Sequence, residues 1–325
     1  MLTEPLVACI VRLMGTVHQL LEAHGKQQTM LMNLDRAEIE AAAAYLSDEK
    51  IGIGFLYSGW CQAALPHKKL ADDAGWQITG EQVTLVVEPG MRPTASGKPE
   101  PIGVPYGSRA RLIMLYLQSE AIRTQSRDVE LGRSLRNWLT RMGITPGGKS
   151  VDGVREQAER ISRCRLTLQV QMGKKTGLVN QNIVDTAIFL DTSDTYGQTT
   201  LFTETARLSE GFYEQLTRHS VPLEETAIRA INNNSMALDV YAWLAYRLHV
   251  LDRPLPVSWL ALKGQFGNGF GRITNFRSKF NKSLALSMAV YPAAKVEVTD
   301  RGLTLYPSRP PVAATKVHIG RIPQR

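Results

Sequence analysis

Between Gly271 and Leu284 the chain reads GRITNFRSKFNKSL, a stretch with one apolar stripe and one cationic face. At about 100° per residue Ile273, Phe276, Phe280 and Leu284 fall on one line, the spacing of a helix docked on a core. Arg272, Asn275, Ser278, Lys279 and Lys282 fall on the other side, where no carboxylate neutralises them. An uncompensated positive field of this kind suits a polyanion. The spacing therefore predicts a helix presented to DNA, with Asn275 and Arg272 suited to adenine and guanine edges.

The flanks extend that reading. Ala237 to Leu248 (ALDVYAWLAYRL) is apolar nearly all round, as a helix buried between neighbours is. Pro254 and Pro256 break the chain, and Val257 to Phe266 is expected to form a short second helix closed by Gly267, Gly269 and Gly271. Met288 to Val298 and Leu303 to Tyr306 read as strands joined by the turn Thr299-Asp300-Arg301-Gly302. Helix, short helix, basic helix and hairpin follow the order of a winged helix-turn-helix, whose third helix enters the major groove while the hairpin, here tipped by Arg301, touches the backbone.

Charge is uneven along the 325 residues. Residues 1–100 hold 8 Lys and Arg against 12 Asp and Glu, and residues 101–325 hold 30 against 18. An acidic leader thus precedes a basic body, where a nucleic-acid surface belongs. Cys9, Cys61 and Cys164 are isolated, without the spacing of a disulfide framework or a zinc site, which fits a reducing cytoplasm. The apolar run Leu6 to Ile10 is interrupted by Arg12 and is too short to span a membrane.

Taken in order, residues 1–46 form a helical leader with Leu13, Val17, Leu20 and Leu21 on one stripe and a second helix beginning at Asp35. Its default role is packing or self-association. Residues 47–105 are a small loop-rich section with a strand at Val83 to Val87 and a Pro/Gly-rich linker from Pro89 to Pro105. A first copy of the helix-helix-helix-hairpin order occupies residues 106–200. Its helices are expected at Arg109 to Ile122, Arg133 to Met142 and Ser150 to Cys164, with an extended piece at Asp128 to Leu131. Arg165 to Met172 alternates strictly as a strand, the turn Gly173 to Gly177 is basic, and Leu178 to Leu190 returns. Residues 201–234 bridge to the second copy with a helix at Ser209 to His219, residues 235–307 are that copy, and residues 308–325 are a basic tail. The fold class expected is α+β, tandem winged helix-turn-helix domains with an N-terminal helical extension.

The two third helices differ. In the first copy Arg160 and Arg163 are expected to share the outward face with Asp152, Glu156 and Glu159. Mixed charge points to phosphate contacts through Lys149, Arg160, Arg163, Lys174 and Lys175, or to protein contacts, and leaves base reading to the second copy.

Gly143-Ile144-Thr145-Pro146-Gly147-Gly148-Lys149-Ser150 matches the phosphate-loop pattern of ATPases. That loop works only after a buried parallel strand, because strand-loop-helix geometry aims the backbone amides at phosphate. The preceding Arg133 to Met142 has helical spacing instead. The six histidines are scattered without a triad or metal partner, so neither a catalytic centre nor a metal or cofactor is expected.

Several blocks in order carry a family resemblance: Gly103-Val104-Pro105-Tyr106-Gly107, Ser119 to Thr124, Val129-Glu130-Leu131-Gly132, Gly147-Gly148 with Gln157 and Arg160, and Leu238 to Arg247. Over residues 52 to 307 the chain resembles the RepA family of plasmid replication initiator proteins. The resemblance implies a cytoplasmic bacterial protein that binds repeated duplex sites (iterons) in a plasmid origin, helps open adjacent AT-rich DNA, and recruits the host's replication initiator and helicase. It also implies exchange between monomer and dimer, which the leader and the first copy would carry. The alternatives are a winged-helix transcriptional repressor and, more weakly, the phosphate-loop ATPase.

Overall fold

A computed structural model of the chain describes residues 16–48, 52–80, 83–144, 147–172, 175–193 and 199–313. Helices and strands alternate in a mixed α and β fold. Two segments share one element order and one sheet order. The first runs from helix Gly107–Thr124 through strand Asp128–Glu130 and helices Gly132–Arg141 and Gly148–Arg163 to the hairpin Val184–Ser193 and Thr199–Leu208. The second runs from helix Ser235–Arg247 through strand Leu255–Ser258 and helices Trp259–Phe266 and Ile273–Ala289 to the hairpin Lys295–Thr299 and Gly302–Tyr306. In each, the last strand lies antiparallel between the other two.

The sheets reassign several expected elements. Val257 to Phe266 is not one helix. Pro254 and Pro256 hold the chain extended, Leu255–Ser258 pairs with Gly302–Tyr306, and the helix begins only after Ser258, whose hydroxyl caps the Ala261 amide at 3.2 Å. Met288 to Ala294 is not strand, because the third helix runs on to Ala289 before Pro292 stops it. Leu178 to Leu190 does not return as one strand either. Lys175–Asn182 pairs with Arg165–Met172 in a four-stranded sheet with Val83–Glu88 and Trp76–Thr79. After the buried Ile183 the chain enters a different sheet as Val184–Ser193. The 165–182 hairpin is thus an insertion within the first segment, and strand Thr199–Leu208 crosses the boundary expected at residue 200.

The loop-rich section contributes structure. Strand Ile53–Tyr57 pairs with Ser220–Glu224, and helix Ser58–Gln62 buries Trp60 and Cys61. Trp76 gives its indole N–H to the Ala64 carbonyl at 2.9 Å. Both tryptophans therefore belong to the interior and its polar seams.

The leader helices Thr16–Thr29 and Arg36–Leu46 pack one face each against the rest of the molecule. Asp35 caps the second by accepting from the Ala37 amide at 2.9 Å, and Ile39, Ala41 and Ala42 of that helix are buried. The neighbours of Arg36–Leu46 include Ile273–Ala289 and Glu225–Ala230. His18 Nε2 lies 2.9 Å from the Ala289 carbonyl, and the Tyr45 hydroxyl donates to Glu224 at 2.8 Å. Part of the tail also folds back: Tyr291 donates to the Arg309 carbonyl at 2.7 Å, and Val312 is buried. Leu13, Cys9, residues 145–146 of the glycine turn, Lys174 and the tail beyond 313 lie outside the described residues.

Candidate nucleic-acid interface

An aromatic chain supports helix Ile273–Ala289. Phe276 and Phe280 are fully buried with ring centroids 5.3 Å apart. Phe280 meets Phe266 at 5.6 Å and Trp259 edge-on at 6.0 Å, and Phe266 meets Trp243 at 5.4 Å. Further along, Ser283 and Ser287 are buried against helix Ser235–Arg247, where Ser287 donates to the Ala237 carbonyl at 2.9 Å. Small hydroxyl side chains let the two backbones approach, so the helix is fixed along its length. Gly267 makes the turn possible, since a Cβ there would come within 2.5 Å of the Phe276 ring.

Rigid support of one face fixes what the other presents. Arg272, Asn275, Ser278, Lys279 and Lys282 are all exposed. Arg272 caps the helix from extended backbone and sits one residue before its first turn. From Asp252 to Glu297 the intervening sequence contains seven cations (Arg253, Lys263, Arg272, Arg277, Lys279, Lys282 and Lys295) and no carboxylate. Among the described residues Arg272, Lys279 and Lys282 have no acidic partner. Arg277, absent from the sequence-derived set, stacks its guanidinium 4.9 Å from the Trp259 ring centroid. Ile273 departs from the expected inward stripe. It is 38% exposed, because it opens the helix beyond the reach of the aromatic chain beneath.

The hairpin is tied to the same bracket. Trp259 donates its amide to the Arg301 carbonyl at 3.1 Å and its indole N–H to the Thr299 carbonyl at 3.2 Å. Gly302 passes so close to strand Leu255–Ser258 that a Cβ would lie 1.9 Å from the Val257 carbonyl oxygen. Arg301 itself is exposed at the tip.

The first segment's third helix, Gly148–Arg163, is different. Arg160 is not on the outward face but buried, 3% exposed, with Nη2 2.9 Å from both Asp72 and Glu156 and Nη1 donating to the Val104 carbonyl at 3.2 Å. A half-buried strand-and-turn section covers that side of the helix, so the arginine serves the interior. Its hydrogen bond is the first cause that holds the Asp72 carboxyl below the ordinary range. Arg163 pairs with Glu159 at 3.2 Å and donates to the Met91 carbonyl at 3.2 Å, and Arg155 lies 4.0 Å from Asp152. Charge on this helix is neutralised locally. Lys149 lies in its first turn and Lys175 opens the strand of the inserted hairpin, with side chains outside the description. The phosphate-loop match connects helix Gly132–Arg141 to helix Gly148–Arg163, with no strand before it.

Sequence reasoning missed the residues that join the segments. Arg111, on helix Gly107–Thr124, grips Asp239, on helix Ser235–Arg247, through Nε at 2.7 Å and Nη2 at 2.6 Å. It also donates to the Pro66, Gly107 and Leu65 carbonyls. The signal was present: Asp239 is the one carboxylate in an otherwise apolar helix, and a buried charge needs a partner. Beside the pair, His67 donates from Nε2 to the Phe266 carbonyl at 3.2 Å, which leaves Nδ1 to accept from the Ser235 hydroxyl at 3.0 Å. Burial first, and the Arg111 charge second, push the His67 pKa down to about 4.

Among the described residues no helix is long and apolar enough to cross a membrane. No curated protein sequence matches the chain. Two crystal structures of domains 2 and 3 of RctB are similar to it, with TM-scores of 0.48 and 0.45 at 10% and 9% identity. Each likeness covers 70% of this chain, and 83% and 82% of those chains respectively. The family described as plasmid encoded RepA protein matches from Val104 to Trp259, which takes in the Arg111–Asp239 pair and stops short of helix Ile273–Ala289. Residues 104–259 of the chain are therefore similar to the plasmid encoded RepA protein family, which supports the resemblance carried by the sequence blocks.

Proposed function

We propose that this chain is a plasmid replication initiator that binds repeated duplex sites of its origin through two winged helix-turn-helix modules, residues 107–208 and 235–306. The observation that carries the proposal is the contrast between the two third helices. On Ile273–Ala289 the exposed cations have no acidic partners among the described residues, whereas on Gly148–Arg163 each described arginine has one. A desolvated phosphate backbone needs charge that is free to pair with it. The second module accordingly reads bases with Arg272 and Asn275, while Ser278, Lys279, Lys282 and Arg301 hold the backbone. The first module contributes phosphate contacts through Lys149, Lys174 and Lys175, or self-association through its charge-paired helix.

No covalent chemistry is assigned to the chain. It bends and opens adjacent AT-rich duplex by binding, then presents that DNA to the host's initiator and helicase in the cytoplasm. Nuclease footprinting of the DNA flanking its own gene tests this reading, followed by permanganate probing of nearby AT-rich sequence. Protection at repeats with permanganate-reactive thymines beside them is expected. Protection at a single operator without opening would make the protein a repressor.

A further inference from the structure

The loop Pro66–Lys69 lies between the two modules. The Pro66 carbonyl accepts from the Gly107 amide at 3.0 Å, at the start of the first module's first helix. His67 reaches the second module at both Ser235 and Phe266. Lys69 turns to the first, with Nζ 3.9 Å from Glu156 on its third helix and 3.5 Å from Asp72. Lys68 between them is exposed and has no partner among the described residues. Across the Gly107–Pro66 contact stands Arg109, also exposed and without an acidic partner. Its side chain lies along the first module's third helix, where a Cβ on Gly153 would sit 3.3 Å from the Arg109 Cδ, Nε and Cζ atoms. Lys279 is close enough to help lower the His67 pKa, so the loop and the second module's third helix share one field.

We propose that Lys68 and Arg109 form a phosphate clamp at the junction, holding the DNA backbone where it passes from one module's groove to the other's. This rests on the duplex-binding reading above. Two free cations on a seam that is otherwise charge-paired suit a ligand whose charge runs continuously past both modules, and a nucleic-acid backbone is such a ligand. Neither side chain can read a base from a seam, so the clamp adds affinity and register without sequence preference.

The test is titration of the full chain with its footprinted duplex and with a random duplex of equal length across a salt series. Lys68→Ala and Arg109→Ala should each lower the slope of log K against log salt by about 0.9, equally on both duplexes. Lys98→Ala, a loss of the same charge from the exposed turn at Thr94–Lys98, should leave the slope unchanged. Since neither clamp residue has an acidic partner among the described residues, thermal melting should stay near the parent value. Unchanged slopes for both variants, with specific binding still weakened by Arg272→Ala and Asn275→Ala, would overturn the clamp while leaving the duplex-binding reading intact. An equal drop for Lys98→Ala would reduce the effect to net charge and overturn it as well. Failure of the parent chain to bind duplex would remove both.

Discussion

The guanidinium of Arg111 meets the carboxylate of Asp239 through two hydrogen bonds, 2.7 and 2.6 Å long, with side chains only 9% and 10% exposed. The pair joins the first helix of one module to the first helix of the other, so the modules share a buried charge as well as an apolar seam. Removing one member leaves the other uncompensated in the interior. Asp239→Asn should cost about 3–5 kcal/mol of unfolding free energy, whereas a paired apolar replacement of both residues should cost far less. Urea denaturation of the single and double variants checks this. A loss under 1 kcal/mol in the single variant would mean that water reaches the pair.

The neighbouring His67 makes stability depend on pH in a definite direction. Its pKa is about 4 when folded against 6.5 for an unperturbed histidine, so between those values the unfolded chain binds more protons. Stability is then fully present above pH 6.5 and is lost as pH falls towards 4, by up to roughly 3 kcal/mol. Burial lowers the His18 pKa too, and adds in the same direction. Melting temperature measured from pH 7 to pH 4.5 should fall steeply in the parent and less steeply in His67→Gln.

Trp259 ties the hairpin Lys295–Thr299 and Gly302–Tyr306 to helix Ile273–Ala289. Trp259→Phe removes the indole N–H that reaches Thr299 and part of the ring that packs on Phe280 and under Arg277, at a cost of about 1–3 kcal/mol. The salt slope should drop by about 0.9, as for Arg301→Ala, with no further drop when the two changes are combined. Additive losses in the double variant would show that Trp259 acts other than through the hairpin.

Periodic signals were readable where one physical demand acted alone. The apolar helix at 235–247, the capped helix after Asp35 and the buried Phe276 and Phe280 followed directly from spacing and caps. Elements went astray where a distant partner decided the outcome. Residues 255–258 become strand only because Gly302–Tyr306 lies alongside, and residues 178–190 divide at Ile183 because two different sheets claim the halves. Arg160 shows the same limit at the site: helical spacing placed it outward, but the covering section that carries Asp72 comes from residues far away in sequence. Ile273 fails for a local reason, since a stripe predicts burial only as far as the core extends.

The central claim is that the free cationic face of helix Ile273–Ala289 lies along duplex DNA and reads it. Fluorescence anisotropy of Arg272→Ala with Asn275→Ala, on the footprinted repeat and on random duplex, addresses it most directly. Specific binding should weaken by about 1–3 kcal/mol per lost base contact while binding to random duplex changes little. Equal losses on both duplexes, or none on either, would contradict it.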